Sequence, residues 1–384
     1  MQVPPAPPKI AGTMNRHMET AMNQRPASPL ILTYLGVAPA IKGAPRFSGQ
    51  GSAVLGRVTL GVRAELGAYA VLRADGHTVE VGDDFFIGLR GTAHIAHERY
   101  GARVGRKVTV GANAIVHACE VGDGCVVMDG AVVLDGAQVG AGSVIGPGSV
   151  VMDRAVMPPG HWCEGVPAAP VRPVSGEELA RLHEQVRAQG RAAWAMAHGE
   201  RLVAPGRKGP GYIAATVSGT GAARLGPDAS IWFGCVVDAA RHGVDIGART
   251  NVQDNTVMRG SERAVSIGED STVGHNVLLQ DCTVGARCLI GMGSQLAAGT
   301  VVMDDVLLGG GSSTEPGQVL EGGWLWRGRP AVRQSPMNER RRQMILGAGA
   351  TYCMYGREFG IAQDMAERHA HEQAAVRSVV APLP

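Results

Sequence analysis

The sequence predicts a fold that is all-β with C-terminal helices, in which two parallel β-helices are each closed by an α-helix. Two observations lead to this prediction: aliphatic residues recur at intervals of six in two stretches, and a helical pattern follows each stretch. A period of six fits neither the 3.6-residue repeat of a helix nor the two-residue repeat of a strand. It fits a coil with short flat faces, in which every sixth aliphatic side chain stacks inside. The predicted interior positions are Ile115, Val121, Val127, Val133, Val139, Ile145 and Val151, then Leu278, Val284, Ile290, Leu296, Val302 and Leu308.

The composition agrees with stacked coils and argues against several classes of protein. Among 384 residues there are 55 glycines, which suit tight corners, and only 4% aromatic residues. A net charge of +2 gives no electrostatic footprint for nucleic acid. The N-terminal stretch has no long apolar run, so we expect neither a secretory signal nor a membrane span. Seven cysteines without a C-x-x-C pair indicate packed thiols and a reducing, cytoplasmic compartment.

The chain is organised as two copies of one plan. Copy one ends in a helix that begins near Ser175, which forms a capping box with Glu178, and copy two ends in a second helix of similar pattern. The stretch between the copies is rich in glycine and proline and is typical of a linker. The predicted divisions are a flexible N-terminal segment (1–29), copy one (30–202), the linker (203–211), copy two (212–365) and a C-terminal tail (366–384).

Copy one carries a series of polar residues at the ends of its coils. Arg73 and Asp75 form an Arg-x-Asp after an early coil, His94 lies in the next coil, and His117 in the coil after that. Copy two carries a different selection at the corresponding places. It has Asn251 and Gln253 as an Asn-x-Gln, followed by His275 in a Gly-His pair.

In the order of these polar residues along the chain, both copies resemble the γ-class carbonic anhydrases and their hexapeptide-repeat relatives. The resemblance covers nearly all of residues 30–365. It implies left-handed β-helices, assembled as a trimer, with zinc or iron held by three histidines between neighbouring subunits. In that family one subunit supplies the first and last histidines, and its neighbour supplies the middle one from Gly-His.

Neither copy has the complete set that the resemblance implies, and the losses are complementary. Copy one keeps His94 and His117 but has Ala112 at the middle position, whereas copy two keeps the middle histidine and has Arg259 and Gln280 at the other two. A guanidinium cannot bind a divalent ion, so metal is not expected at the reversed interface. Five residues separate the middle and last positions in both copies, and no gap is needed there.

The resemblance therefore suggests one composite metal site, formed by His94, His117 and His275 at a contact between copy one and copy two. Three neutral imidazoles leave a fourth position for water on zinc, with iron as the alternative metal. Zinc lowers the pKa of such a water to about 7 and so prepares it for attack on CO2 or another small carbonyl compound. The further candidate site residues are Gln253 and Asn251, which would orient water or substrate, and Arg73 and Asp75, expected as an ion pair beside the interface.

Several alternatives remain open from the sequence. The histidines can be structural, and the chain would then be an inactive scaffold or assembly subunit. A hexapeptide acyltransferase or thioesterase is a further alternative, with His97 on the 95–108 loop as its candidate base; His97 is also a candidate substitute ligand or proton relay. Substrates are expected to be small molecules such as CO2, bicarbonate or a small acyl compound. The expected assembly is a homo-oligomer built from three-domain rings, in which a different subunit can fill a place.

Overall fold

The predicted fold class is confirmed by a computed structural model, which describes residues 28–197 and 204–380. Two stacks of parallel coils follow one another along the chain, and one α-helix follows each stack. The predicted flexible segment, 1–29, lies almost entirely outside the described residues. No helix among the described residues is long and apolar enough to cross a membrane.

Copy one is a three-sided coil whose strands pair in parallel from one turn to the next. Its first sheet covers two sides, because the long strands turn a corner; the strands are Leu30–Leu32, Ala40–Ile41, Ala53–Leu60, Val71–Val81, Thr92–His94, Ala102–Val104, Ile115–His117, Glu120–Val121, Val132–Val133, Gln138–Val139, Val150–Val151 and Val156–Met157. The second sheet forms the third side, with Phe47–Ser48, Glu65–Leu66, Phe86–Ile87, Thr109–Val110, Val126–Val127, Val144–Ile145, His161–Gly165 and Ala168–Pro173. The last two of these strands form an antiparallel hairpin that ends the stack.

Copy two repeats this architecture. Its first sheet consists of Gly206–Lys208, Ser218–Leu225, Val236–Ile246, Val257–Arg259, Val265–Ile267, Leu278–Gln280, Thr283–Val284, Gln295–Leu296, Val301–Val302 and Val319–Leu320. Its second sheet consists of Tyr212–Ile213, Ser230–Ile231, Asn251–Val252, Thr272–Val273, Leu289–Ile290, Leu307–Leu308, Trp324–Gly328 and Ala331–Pro336. An antiparallel hairpin again ends the stack.

The six-residue period identifies the interior of both coils, with one error in each copy. Eleven of the thirteen predicted interior aliphatics are buried in the two main cores. Ile115 and Leu278 are the exceptions, because the neighbouring Val116 and Leu279 fill the interior in their place. The strands that contain Ile115 and Leu278 are each followed by a residue with positive φ, Ala118 in copy one and Asp281 in copy two. This corner shortens the turn and shifts the register of the side chains by one residue.

Two α-helices cover the second sheets. Helix α1 (Gly176–Ala197) is capped by Ser175, whose Oγ accepts a hydrogen bond from the backbone N–H of Glu178, and packs on copy one. Helix α2 (Glu339–Val380) packs on copy two and also contacts the first strand of copy one. The buried aromatic side chains of α2 thereby join the cores of the two copies.

The structure differs from the predicted divisions in two places. The expected linker contains the strand Gly206–Lys208, which pairs with residues 222–224 because it extends the open edge of the first coil of copy two. The expected tail is continuous with α2, which runs to Val380.

The two copies pack side by side within one chain, through the corners of copy two and one face of copy one. The hydroxyl of Thr92 donates a hydrogen bond of 2.7 Å to Oδ1 of Asn276 and accepts one of 3.0 Å from Nδ2 of Asn255. Gly293, with φ of +68°, lies at the same contact, and a Cβ there would be 2.9 Å from Val132. The contact therefore depends on corners of copy two that are formed by small residues with positive φ and that pack closely against the face of copy one.

Candidate metal centre

Three histidines from the two copies meet at this contact. His94 and His117 lie on neighbouring strands of copy one, directly paired in register, and His275 lies at a corner of copy two. One ring nitrogen of each lies within 4.8 Å of those of the other two, and all three side chains are buried. Nδ1 of His94 is 3.2 Å from Nε2 of His117. Among the residues that the structure describes, this is the group of His, Cys, Asp and Glu side chains arranged to hold a metal ion.

Each histidine also has an aspartate on its outer side. Nε2 of His94 is 3.2 Å from Oδ2 of Asp75, and Nδ1 of His117 is 2.6 Å from Oδ1 of Asp135. Nδ1 of His275 lies 3.2 Å from Oδ2 of Asp254. Carboxylates in this position fix the orientation of an imidazole and raise its basicity as a ligand.

Arg73 is the centre of a buried ionic network beside the histidines. Its guanidinium pairs with Asp75 and with Asp254, at 2.9 Å from Oδ2 of the latter, and all three side chains are fully buried. It also donates a hydrogen bond of 2.9 Å to the hydroxyl of Tyr352 on α2 and lies 4.4 Å from the centroid of the Trp232 ring. A buried charge requires such pairing, because an isolated ion in a protein interior is very costly.

Burial keeps two of the imidazoles neutral. It lowers the pKa of His275 to about 4, although Asp254 acts in the opposite direction, and it lowers the pKa of His94 well below the usual range, with the positive charge of Arg73 adding to the effect. Neutral imidazole is the form that binds metals.

Unsatisfied polar atoms around the histidines indicate that a cation fits the site. Nε2 of His275 has no hydrogen-bond partner among the described residues, and the same holds for Oδ1 of Asp75. Burial raises the pKa of Asp75 to about 7. The positive charge of Arg73 opposes this shift, and the negative charge of Asp254 adds to it. Buried polar atoms are nearly always paired, so these two unpaired acceptor atoms are consistent with a cation bound beside them. Three imidazole nitrogens are donors that suit zinc or iron.

The other predicted residues lie in two different places. Asn251 and Gln253 are buried on copy two, where Nε2 of Gln253 donates to Oδ1 of Asn251 and Nδ2 of Asn251 donates to the hydroxyl of Thr272. His97 is half-buried, and its Nδ1 lies 2.5 Å from the hydroxyl of Tyr355 on α2. His97 thus connects the copy-one loop to α2 and is not a member of the histidine cluster.

The corresponding face of copy two is exposed. Arg259 and Asp238 stand on it as a loose ion pair, 3.9 Å apart, with side chains 51% and 61% exposed. Gln280 is half-buried on the same face. At the corresponding positions of copy one, His94 and Arg73 are buried. The histidines of copy one and copy two form a single cluster among the described residues of the chain.

Two aspartates beside the histidines were not predicted from the sequence. Asp254 follows Gln253 directly, and its carboxylate joins Arg73 to the backbone N–H of Phe233. Asp135 lies 18 residues beyond His117. Three hexapeptides complete one turn, so a search for acidic residues one full turn from each histidine would have found it.

Comparisons with known proteins find several similar proteins. A family model described as bacterial transferase hexapeptide (six repeats) matches residues 118–153. The mitochondrial gamma carbonic anhydrase 2 of Arabidopsis thaliana is 28% identical over 235 residues, which cover 58% of this chain and 78% of the relative. Protein YrdA of Escherichia coli is 37% identical over 147 residues, covering 36% and 80% respectively. Among solved structures, a hexapeptide transferase family protein from Anaplasma phagocytophilum is 26% identical, with 45% of this chain and 99% of that one covered and a TM-score of 0.39.

Proposed function

Because the chain belongs to the γ-carbonic anhydrase group of hexapeptide-repeat proteins, as a tandem fusion of two copies, we propose that it is a carbonic anhydrase-like metalloenzyme with one composite site. His94 and His117 of copy one and His275 of copy two would hold the metal, with zinc as the first candidate and iron as the second. The observation that carries this proposal is the meeting of three buried ligand nitrogens within 4.8 Å, from two copies that each lack part of the set.

The chemistry proposed is activation of water for attack on CO2, or on another small carbonyl compound. A divalent cation with three histidine ligands and one open position supplies Lewis-acid activation of water. The protein contributes orientation and exclusion of solvent: Asp75, Asp135 and Asp254 hold the imidazoles, and α2 closes the outer side of the Arg73 network with Tyr352.

Gln253 and Asn251 are proposed to orient a small substrate. Both amide side chains are buried on copy two, and they form a hydrogen-bonded pair directly before Asp254 in the chain. The histidines themselves are at most 8% exposed, so the substrate would have to be small. A small, linear, uncharged molecule such as CO2 meets this requirement.

We also propose that the two copies of one chain fill two neighbouring places in a ring of three such domains. The exposed face of copy two, with Arg259 and Asp238, would then contact the next domain, which can belong to a different subunit. All seven cysteines are free, which suits the reducing, cytoplasmic compartment that we propose for the protein.

Metal analysis and a hydration assay test the proposal together. Protein purified without a histidine tag should contain at most one zinc or iron per chain, and loaded protein should accelerate CO2 hydration in a stopped-flow assay. Metal-free protein that cannot be loaded would overturn the metal site. Loaded protein without hydration activity would keep the site and overturn CO2 as the substrate.

A further inference from the structure

The strand register aligns the two copies residue by residue around the histidines. Thr92 and Val257 each pair with the long strand of their own copy. One turn later the strands begin at Ile115 and Leu278, which pair with the preceding strands at these same positions. The two copies can therefore be compared position by position, and the duplication shows which residues change together.

The first histidine and its aspartate are kept or lost as a unit. His94 and Asp75 occur together in copy one, where Nε2 and Oδ2 are 3.2 Å apart. At the aligned positions copy two has Arg259 and Ala240. Loss of the ligand is thus accompanied by loss of the carboxylate behind it.

The middle histidine and its aspartate are also kept or lost together, but here copy two is the copy that keeps them. His275 and Asp254 occur together in copy two. At the aligned positions copy one has Ala112 and Leu89, so here copy one has lost both members.

The last histidine completes the pattern and identifies a residue that the family marks in the sequence did not include. Val132 and Gln295 pair with the strands that contain His117 and Gln280. Three positions further on, copy one has Asp135 and copy two has Ala298. The aspartate therefore accompanies the histidine here as well.

We propose, resting on the function proposed above, that Asp135 is a positioning residue for His117 and the third carboxylate that adjusts the charge of the site to a divalent cation. The 2.6 Å contact occupies Nδ1 of His117 and so presents Nε2 towards His94 and the centre of the cluster. A histidine that binds metal through one nitrogen needs such a partner on the other to fix its tautomer and ring orientation.

The charge count explains why a third carboxylate is needed. The fully buried Arg73 neutralises one of the two buried carboxylates, Asp75 and Asp254, and one negative charge remains. Asp135 adds a second negative charge; among the described residues its ion-pair partner is His117 and not a guanidinium, and its side chain is 39% exposed. With three neutral imidazoles, a divalent ion then brings the group to neutrality. Without Asp135, the same ion would leave an uncompensated positive charge beside buried groups.

The test measures zinc affinity of the full chain by competition with a chelator, for three variants of Asp135. Asp135→Asn keeps an acceptor for the Nδ1 proton and removes the charge, Asp135→Ala removes both, and Asp135→Glu keeps the charge on a longer side chain. We expect the dissociation constant to rise at least about tenfold for the first two variants, and part of the affinity to return in the third. Asp153→Asn, at an exposed aspartate on the following turn, is the matched control and should bind zinc as the wild type does.

Two further readouts separate positioning from folding. The melting temperature in excess chelator should be the same in all variants, and the visible spectrum of the cobalt-loaded protein should change in Asp135→Ala. Equal zinc affinity in the wild type, Asp135→Asn and Asp135→Ala would overturn this inference and leave the proposed function intact. A wild-type chain that binds no zinc, iron or cobalt would overturn both.

Discussion

The imidazoles of His94 and His275 lie 4.8 Å apart, centroid to centroid, although they belong to different copies of a duplicated chain. The distance is short because the corners of successive turns of copy two pack against the face of copy one. There the hydroxyl of Thr92 is hydrogen-bonded to Asn255 and Asn276. A single chain therefore brings together histidines that the resemblance divides between neighbouring subunits.

The shared site predicts that a substitution in copy two removes metal as completely as one in copy one. His275→Ala and His94→Ala should each reduce the metal content of the purified chain to background, because two imidazoles hold zinc far more weakly than three. Metal per chain is measured by elemental analysis, with His242→Ala as the control outside the cluster. Full metal content in His275→Ala would show that copy two does not contribute a ligand.

Much of the fold follows from the period of six, and the parts that do not follow have local causes. The period identifies the interior positions such as Val121 and Val284 because each turn of the coil is built from three short sides. It fails at Ile115 and Leu278, where a left-handed corner removes one residue from the turn. Such a corner depends on backbone geometry at Ala118 and Asp281, which the spacing of aliphatic residues does not contain.

The three histidines of the candidate site were candidates from the sequence, whereas the aspartates Asp135 and Asp254 beside them were not. The resemblance to the γ-class carbonic anhydrases, together with the complementary losses in the two copies, identified the three histidines before the structure was considered. The sequence left open how the two copies would meet. Their contact depends on how the corners of copy two pack against copy one, and on α2, which contacts both copies. Asp135 escaped notice for a related reason: it contacts His117 across one complete turn, and only the coil brings the two together.

Removal of Arg73 should destabilise the chain strongly. Arg73→Met leaves Asp75 and Asp254 buried without their cation, and breaking a buried ion pair in this way costs about 3–5 kcal/mol. Arg259→Met, at the exposed pair with Asp238, should cost at most about 1 kcal/mol. The free energy of unfolding from urea titrations of metal-free protein gives both values. Similar small losses in the two variants would mean that the network of Arg73 is not a stabilising element.

The depressed pKa of His275 predicts a pH-dependent stability in the metal-free protein. The unfolded chain takes up a proton on this histidine below pH of about 6.5, whereas the folded chain does so only near pH 4. Between these values the unfolded state binds more protons, so the contribution of His275 to stability falls as the pH is lowered. At pH 5 the loss is on the order of 2 kcal/mol relative to neutral pH.

Comparison with His275→Asn isolates this contribution, because Asp75 and the other groups remain in both proteins. Urea titrations in chelator at pH 7.5 and pH 5 should show the wild type losing stability relative to the variant. A difference between the two proteins that does not change with pH would mean that the folded and unfolded chains protonate this histidine equally.

The internal symmetry predicts that the exposed face of copy two takes part in assembly while the equivalent face of copy one supports the fold. Leu278 and Ile115 are aligned, but Ile115 is fully buried against copy two, whereas Leu278 is half-buried on the open face. Leu278→Glu should therefore lower the solution mass of any complex, measured by light scattering, with little change in melting temperature. Ile115→Glu should lower the melting temperature sharply, because it places an unpaired carboxylate in the buried contact between the two copies. An unchanged mass in Leu278→Glu, for a protein that is oligomeric as wild type, would locate the contact elsewhere on the chain.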